Sequence, residues 1–276
     1  MLIYVDGGII VDKSKILEKY KREEDKLLVS KLFDKIALME KTNKIQVTDF
    51  LSPIELQLLK DVLNMVSFKN YMIYGGTNNA QRNMVVIFPE KLEDIFKENN
   101  FDFNSICNCI RILNNCDSYE HKVYLGGLIK LGIKREKIGD IITYESGADI
   151  LVNKDISKFV VSNLKELTRF KKSEICIIDV NDMYKKEQEY KEFKIIVSSL
   201  RLDNVISELA KTSRNKAMEI LKQERVFINY KNEIKPTKTV KTGDIITIRG
   251  VGKFVVDEFE SNTRSGKAVI CIKKYV

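Results

Sequence analysis

The residues of this chain best suited to bind a partner are cations placed at the starts of two short helical patterns. Ser213 precedes Arg214 and Lys216, and a serine in that position caps a helix by accepting a bond from a free amide. A helix start offers unpaired N–H groups and a partial positive charge, so arginine and lysine beside it make a site for phosphate. Arg201 stands at the start of the preceding helical pattern, and Lys211 and Lys253 extend the basic set. The planar guanidinium grips a phosphate with two bonds, which favours Arg201 and Arg214 as anchors over the lysines. Scattered lysines are also what any solvated face displays, so the argument rests on Arg201, Arg214 and Lys216 taken together. Asp203, between the anchors, reads as a residue that caps or packs locally.

Other reactive residue types point to little chemistry. His121 is the single histidine, which excludes a metal site of several histidines and a histidine-rich catalytic centre, and it has no evident acid–base partner. Cys107 and Cys109, two apart on a predicted strand, share one face and read as a buried pair rather than a nucleophile. With Cys116 they lie in or beside an apolar run, away from paired metal-ligand spacings. Neither a Gly-x-Gly-x-x-Gly cofactor loop nor a Walker-type phosphate loop occurs. No catalytic residue, metal, cofactor or small-molecule substrate is expected.

The elements that position these groups fall into an α+β arrangement. Residues 1–70 read as a helical domain: Ile16, Leu17 and Tyr20, then Leu28, Leu32, Phe33, Ile36 and Met39 recur at helical spacing. Ser52-Pro53-Ile54-Glu55 carries a capping box with proline at the first helical position. Residues 71–182 alternate short strand-like and helical runs, an α/β domain: strands at 71–74, 84–88, 107–113, 138–143, 148–152 and 175–180, and helices at 92–98, 121–131 and 154–167. Tyr71, Tyr74 and Phe88 read as strand core or edge. Gly132 to Asp140 is glycine-rich and basic, but a helix stop followed by a solvated turn explains it better than a phosphate contact. The polar stretch 183–196 is the predicted linker. In residues 197–276, Leu202, Val205, Ile206 and Leu209 make one amphipathic helix and Ala217, Ile220 and Leu221 a second. Strands are expected at 226–229, 245–249, 253–256 and 268–275, with a turn at 264–267 before the last.

Charge separates along the same lines. Of 47 basic and 39 acidic residues, 29 of each lie between Met1 and Glu189, whereas Tyr190 to Val276 holds 18 basic and 10 acidic. All of the net +8 therefore falls in the last third, the footprint of a nucleic-acid partner. At 44% hydrophobic and 31% charged the chain has a globular composition. No run approaches the roughly 20 apolar residues of a membrane helix, the opening lacks the pattern of a secretory signal, and unpaired cysteines fit a reducing cytoplasm.

Arg201-Leu202-Asp203, Thr212-Ser213-Arg214-Asn215-Lys216-Ala217, Val226-Phe227-Ile228-Asn229 and Val240-Lys241-Thr242-Gly243-Asp244-Ile245-Ile246-Thr247-Ile248 resemble, in register, the S-four RNA-binding domain. In that family basic residues at the starts of the two helices contact RNA. Upstream, His121-Lys122-Val123-Tyr124-Leu125-Gly126-Gly127-Leu128-Ile129-Lys130-Leu131-Gly132-Ile133-Lys134-Arg135-Glu136-Lys137-Ile138-Gly139-Asp140-Ile141 resembles the hallmark stretch of the YlmH-like proteins. Phe50-Leu51-Ser52-Pro53, Gly75-Gly76 and Gln81-Arg82 are similar to that family too. The resemblance implies an N-terminal helical part, a central domain like an RNA-recognition motif, and a C-terminal S-four domain. It also implies a bacterial cytoplasmic protein that binds rRNA and tRNA on the large ribosomal subunit, linked to rescue of stalled ribosomes and to cell division.

The central domain lacks the basic, glycine and aromatic pattern whose rings stack on bases, so it is expected to meet other surfaces or RNA backbone. Two alternatives remain at this point. An RNA-modifying enzyme of the pseudouridine-synthase kind would normally carry a catalytic domain after the binding module, and little follows Val256. An adaptor of the division machinery would have no need of the charge polarity.

Overall fold

In the computed structural model, residues 2–5, 9–114, 119–185, 189–263 and 266–275 are described. Cys116, part of the linker and part of the turn at 264–267 therefore lie outside the described residues. The chain divides into two compact units, Met1–Lys186 and Glu187–Val276. The protein is mixed α/β, with helices and several antiparallel sheets.

The first unit opens with strands where helix was expected. β1 (Leu2–Val5) pairs antiparallel with β2 (Ile9–Asp12). The β-branched Ile3, Val5, Ile9, Ile10 and Val11 favour strand on either side of Asp6-Gly7-Gly8 in the sequence. After the short α1 (Lys13–Leu17), α2 (Glu23–Thr42) buries Val29, Leu32, Phe33, Ile36 and Met39, and ends at Asn43 in the left-handed region. α3 (Pro53–Met65) starts at a complete capping box: the Glu55 amide donates to Ser52 Oγ and the Ser52 amide to Glu55 Oε2. It buries Leu56, Leu59, Val62 and Leu63 against α2.

The predicted boundary at 70/71 runs through a sheet. β3 (Gln46–Val47), β4 (Tyr71–Tyr74) and β5 (Met84–Ile87) form one antiparallel sheet in the order β3-β5-β4. Val85 and Ile87 lie in the core of the two helices. The apolar faces of α2 and α3 need that cover, so the helices and the sheet share one core.

Residues 107–178 build a second layer with the order strand, helix, strand, strand, helix, strand. These are β6 (Cys107–Leu113), α5 (His121–Lys130), β7 (Ile138–Tyr144), β8 (Gly147–Asn153), α6 (Lys154–Leu164) and β9 (Glu174–Ile178), with α4 (Glu93–Lys97) preceding them. The sheet order β7-β8-β6-β9, antiparallel throughout, is the split βαβ arrangement. Ile110, Ile112, Ile138, Ile150 and Val152 face Tyr124, Leu128, Val160 and Leu164 of the helices.

The opposite face of this sheet is covered as well. Cys107, Cys109 and Leu151 pack against Phe50, Met84, Val180 and Met183, so every residue of β8 is buried. Polar staples complete the join. Asp140 accepts the amides of Gln81 at 2.7 Å and Arg82 at 3.0 Å, and Arg82 donates to the carbonyls of Phe50 and Ile138. Gly139 is required there, since a Cβ would stand 2.7 Å from the Phe50 ring.

In the second unit, β10 (Tyr190–Val197) occupies much of the stretch read as linker: Phe193 and Ile195 alternate with charged residues, and Ile195 and Val197 turn into the core. Six strands follow the order β10-β15-β14-β13-β11-β12, with β11 (Val226–Ile228), β12 (Lys231–Asn232), β13 (Ile245–Ile248), β14 (Gly252–Asn262) and β15 (Ala268–Tyr275). On one face Ile195, Val226, Ile228, Ile246, Ile248, Phe254, Val256, Ile270 and Ile272 pack against α7 (Leu202–Leu209) and α8 (Arg214–Lys222).

Candidate nucleic-acid interface

The two helices of the second unit are anchored by their apolar stripes, Leu202, Val205, Ile206 and Leu209 on α7 and Ala217 and Leu221 on α8, all buried. A tight corner joins them, with Lys211 in the left-handed region at φ 49° and the Ser207 hydroxyl donating to the Thr212 carbonyl at 2.5 Å. Ser213 caps α8 and accepts the Lys216 amide at 3.3 Å. The first turn of α8 contains Arg214 and Lys216 and no acid, the reverse of what the helix dipole favours. An anion outside the helix would reverse that penalty.

Part of the compensation is internal. Asp203 on α7 is wholly buried, and both arginines close on it. Arg201 donates through Nε and Nη2 at 3.1 Å each, and Arg214 donates through Nε at 2.9 Å and Nη2 at 2.7 Å. Burial pushes the Asp203 carboxyl up, but the bonds from Arg201 and Arg214 outweigh it and hold the carboxyl below its usual value. The arginine side chains stay 40% and 52% exposed. A guanidinium has five N–H donors and each uses two here, so three on each remain for a ligand. Asp203 thus sets the direction of two half-exposed cationic forks, and the trio keeps a net charge of +1. Such pre-orientation lowers the entropic cost of binding an anion.

Of the six residues singled out in the sequence, five gather here. Arg201, Lys211, Ser213, Arg214 and Lys216 surround the corner between α7 and α8, with Lys211 and Lys216 exposed. Lys253 does not join them. It alternates with the inward Phe254 on β14 and so lies on the face of the sheet away from the helices. Its ammonium sits 4.4 Å from the Tyr275 ring centre and 5.0 Å from that of Tyr230, and donates to the Tyr230 hydroxyl at 3.2 Å.

That outer face carries a feature not anticipated from the sequence. Phe227 pairs with Thr247 and Thr247 with Lys253, while Tyr190 pairs with Tyr275 across the sheet edge. Arg249 stacks 4.8 Å from the Phe227 ring centre. Aromatic rings and stacked cations therefore line the outer face. The signal was present in the outward positions of the alternating strands, but it appears only once β10 is recognised as a strand.

In the first unit the remaining candidates are structural. Cys107 and Cys109 are fully buried, and burial pushes the Cys107 thiol up to about 12 and raises that of Cys109. His121 begins α5, and burial together with the Arg135 charge lowers its pKa. Tyr74 stacks on Phe103 with ring centres 3.6 Å apart, and Phe88 stacks on Phe96 at 4.0 Å. Among the described residues no helix is long and apolar enough to cross a membrane.

Residues 98–180 match the family model described as "Putative RNA-binding domain in YlmH", a span that contains the whole split βαβ layer. The chain is 27% identical over 248 residues to "Ribosome-associated protein quality control protein P2" of Bacillus subtilis (strain 168), an alignment covering 89% of this chain and 93% of that protein. A solved structure titled "Cell division protein ylmH from Streptococcus pneumoniae" is 19% identical, covers 58% of this chain and 93% of its own, and superposes with a TM-score of 0.44, too low to bear on the fold. The family model within the first unit and the relative that aligns along nearly all of both chains agree in supporting the likeness to YlmH-like proteins read from the sequence motifs.

Proposed function

We infer that this chain is a non-catalytic RNA-binding protein of the bacterial cytoplasm that engages rRNA and tRNA on the large ribosomal subunit and serves the rescue of stalled ribosomes. An RNA-binding, ribosome-associated role is supported by the family model and by the name of the B. subtilis relative. The finer reading rests on one observation, the corner between α7 and α8. There Asp203 orients Arg201 and Arg214, beside the exposed Lys211 and Lys216 and a capped helix start whose dipole favours an anion. The unit that contains this corner holds 18 basic and 12 acidic residues, a net +6, against +2 in the first unit. Its two helices and sheet are read as an S-four domain, by the likeness of its motifs to that module.

The corner contacts phosphate, which positions a protein on RNA without reading bases. Arg201 and Arg214 are poor first targets for mutation because both also serve the buried Asp203. Lys211 and Lys216 are exposed, so these two can be altered with the core intact. For a Lys211→Ala/Lys216→Ala variant, filter binding to large-subunit rRNA over a salt series should show weaker binding at every salt concentration. The slope of log K against log salt should fall by about 0.7–0.9 for each phosphate that is no longer neutralised. Unchanged affinity and slope would remove the corner from the interface.

A further inference from the structure

The span matched as an RNA-binding domain cannot present the sheet face on which bases would stack, because Phe50, Met84, Val180 and Met183 cover it. On the other side of the same layer, α5 and the tight turn Thr168–Phe170 frame an open groove of about 610 Å³. Lys122, Gly126 and Lys130 line it at i, i+4 and i+8, one straight row on the helix. Thr168 and Arg169 form the facing wall, and all five residues are exposed. Lys122 and Lys130 stand roughly 12 Å apart along the axis, from the 1.5 Å rise per residue. Lys122 reaches toward Glu120 at 2.8 Å, a pair exposed on both sides and hence easily exchanged, and the Arg169 guanidinium rests 5.7 Å from the Tyr119 ring centre.

The paired glycines of α5 separate packing from another demand. A Cβ on Gly127 would lie 2.6 Å from Phe170 Cε2, so core contact accounts for that glycine. A Cβ on Gly126 would meet nothing within 4 Å among the described residues, so no contact with them accounts for this one. Glycine inside a helix is destabilising relative to alanine, and one gain that offsets this is close approach of a ligand to the backbone. Gly126 is the bare floor of the groove, with cations at both ends and on the far wall.

We propose that this groove binds the sugar–phosphate backbone of RNA, with Lys122, Lys130 and Arg169 on phosphates and the strand pressed against Gly126. This is a second contact, separate in sequence from the α7–α8 corner, and it rests on the RNA-binding reading above. It assigns the family-matched span a backbone-reading helix face in place of a base-stacking sheet.

Gly126→Glu tests it, since the open space at Gly126 allows the side chain without a clash and the carboxylate would face the phosphates. With the full chain and deproteinised large-subunit rRNA as probe, Gly126→Glu should weaken binding at least tenfold while its far-UV spectrum matches the wild type and its melting temperature is equal or higher. Lys130→Ala should reduce the salt slope by about 0.7–0.9. Wild-type binding that Gly126→Glu and Lys130→Ala leave unchanged overturns the groove and leaves the corner standing. Polyglutamate that competes as well as rRNA for the wild type, but not for Gly126→Glu, overturns the assignment to RNA in favour of an acidic chain. Absence of wild-type binding to rRNA overturns both readings.

Discussion

Asp203 shows how one buried carboxylate can set the direction of two half-exposed cations. Its two arginine partners look in the sequence like free anchors, yet each spends two donors on it and keeps three. The sign of its titration follows. A carboxyl held low in the folded state supports stability above its unfolded pKa and loses that support as pH falls through the folded value. Asp203→Asn should therefore lower stability at neutral pH, on the order of 2 kcal/mol for bonds to a charged acceptor. Thermal melts of wild type and variant should begin to converge below about pH 4, the unfolded carboxyl range, and continue to do so as pH falls further. A constant difference from pH 7 to pH 3 would show that the carboxylate charge does not hold the corner. The same scale separates Gly126 from Gly127: the sequence offers two identical neighbours, and only the position of Phe170 tells which one packing requires.

At the scale of elements, capping and periodicity did most of the work. The box at Ser52-Pro53-Ile54-Glu55 starts α3 where expected, and Ser52→Ala should cost about 1 kcal/mol, read as a lower denaturation midpoint with an unchanged slope. The helices from His121 and Lys154 and the strands of the split βαβ layer were legible, because their apolar residues recur at clean periods and stop at glycine or a polar turn. Several elements were not legible. β1 and β2 are too short for periodicity to tell strand from helix, and β3 is two residues long and exists through pairing with β5. The first five residues of β10, Tyr190 to Lys194, are exposed or only partly buried and rich in charge, so its edge position resembled a linker. The corner residues were legible because helix starts have a local signature. The displaced Lys253 was not, because the face on which a strand residue lies depends on register with distant strands.

At the scale of the whole molecule, the surplus charge and the family match fall in different units. Residues 98–180 carry the matched RNA-binding model, whereas the unit from Glu187 holds most of the net charge. Both observations are accounted for if each unit makes its own backbone contact, one through the α7–α8 corner and one through the groove on α5. Two weak electrostatic contacts in one chain multiply through effective concentration, which gives firm attachment to a large RNA without base reading. The most direct test is co-sedimentation of the full chain with purified large and small ribosomal subunits across a salt series. The account predicts that the wild type pellets with the large subunit with a salt slope of several units, and that Lys211→Glu/Lys216→Glu shifts the midpoint to markedly lower salt. Equal recovery of wild type and variant with the large subunit at every salt concentration, or recovery of the wild type with neither subunit, would contradict it.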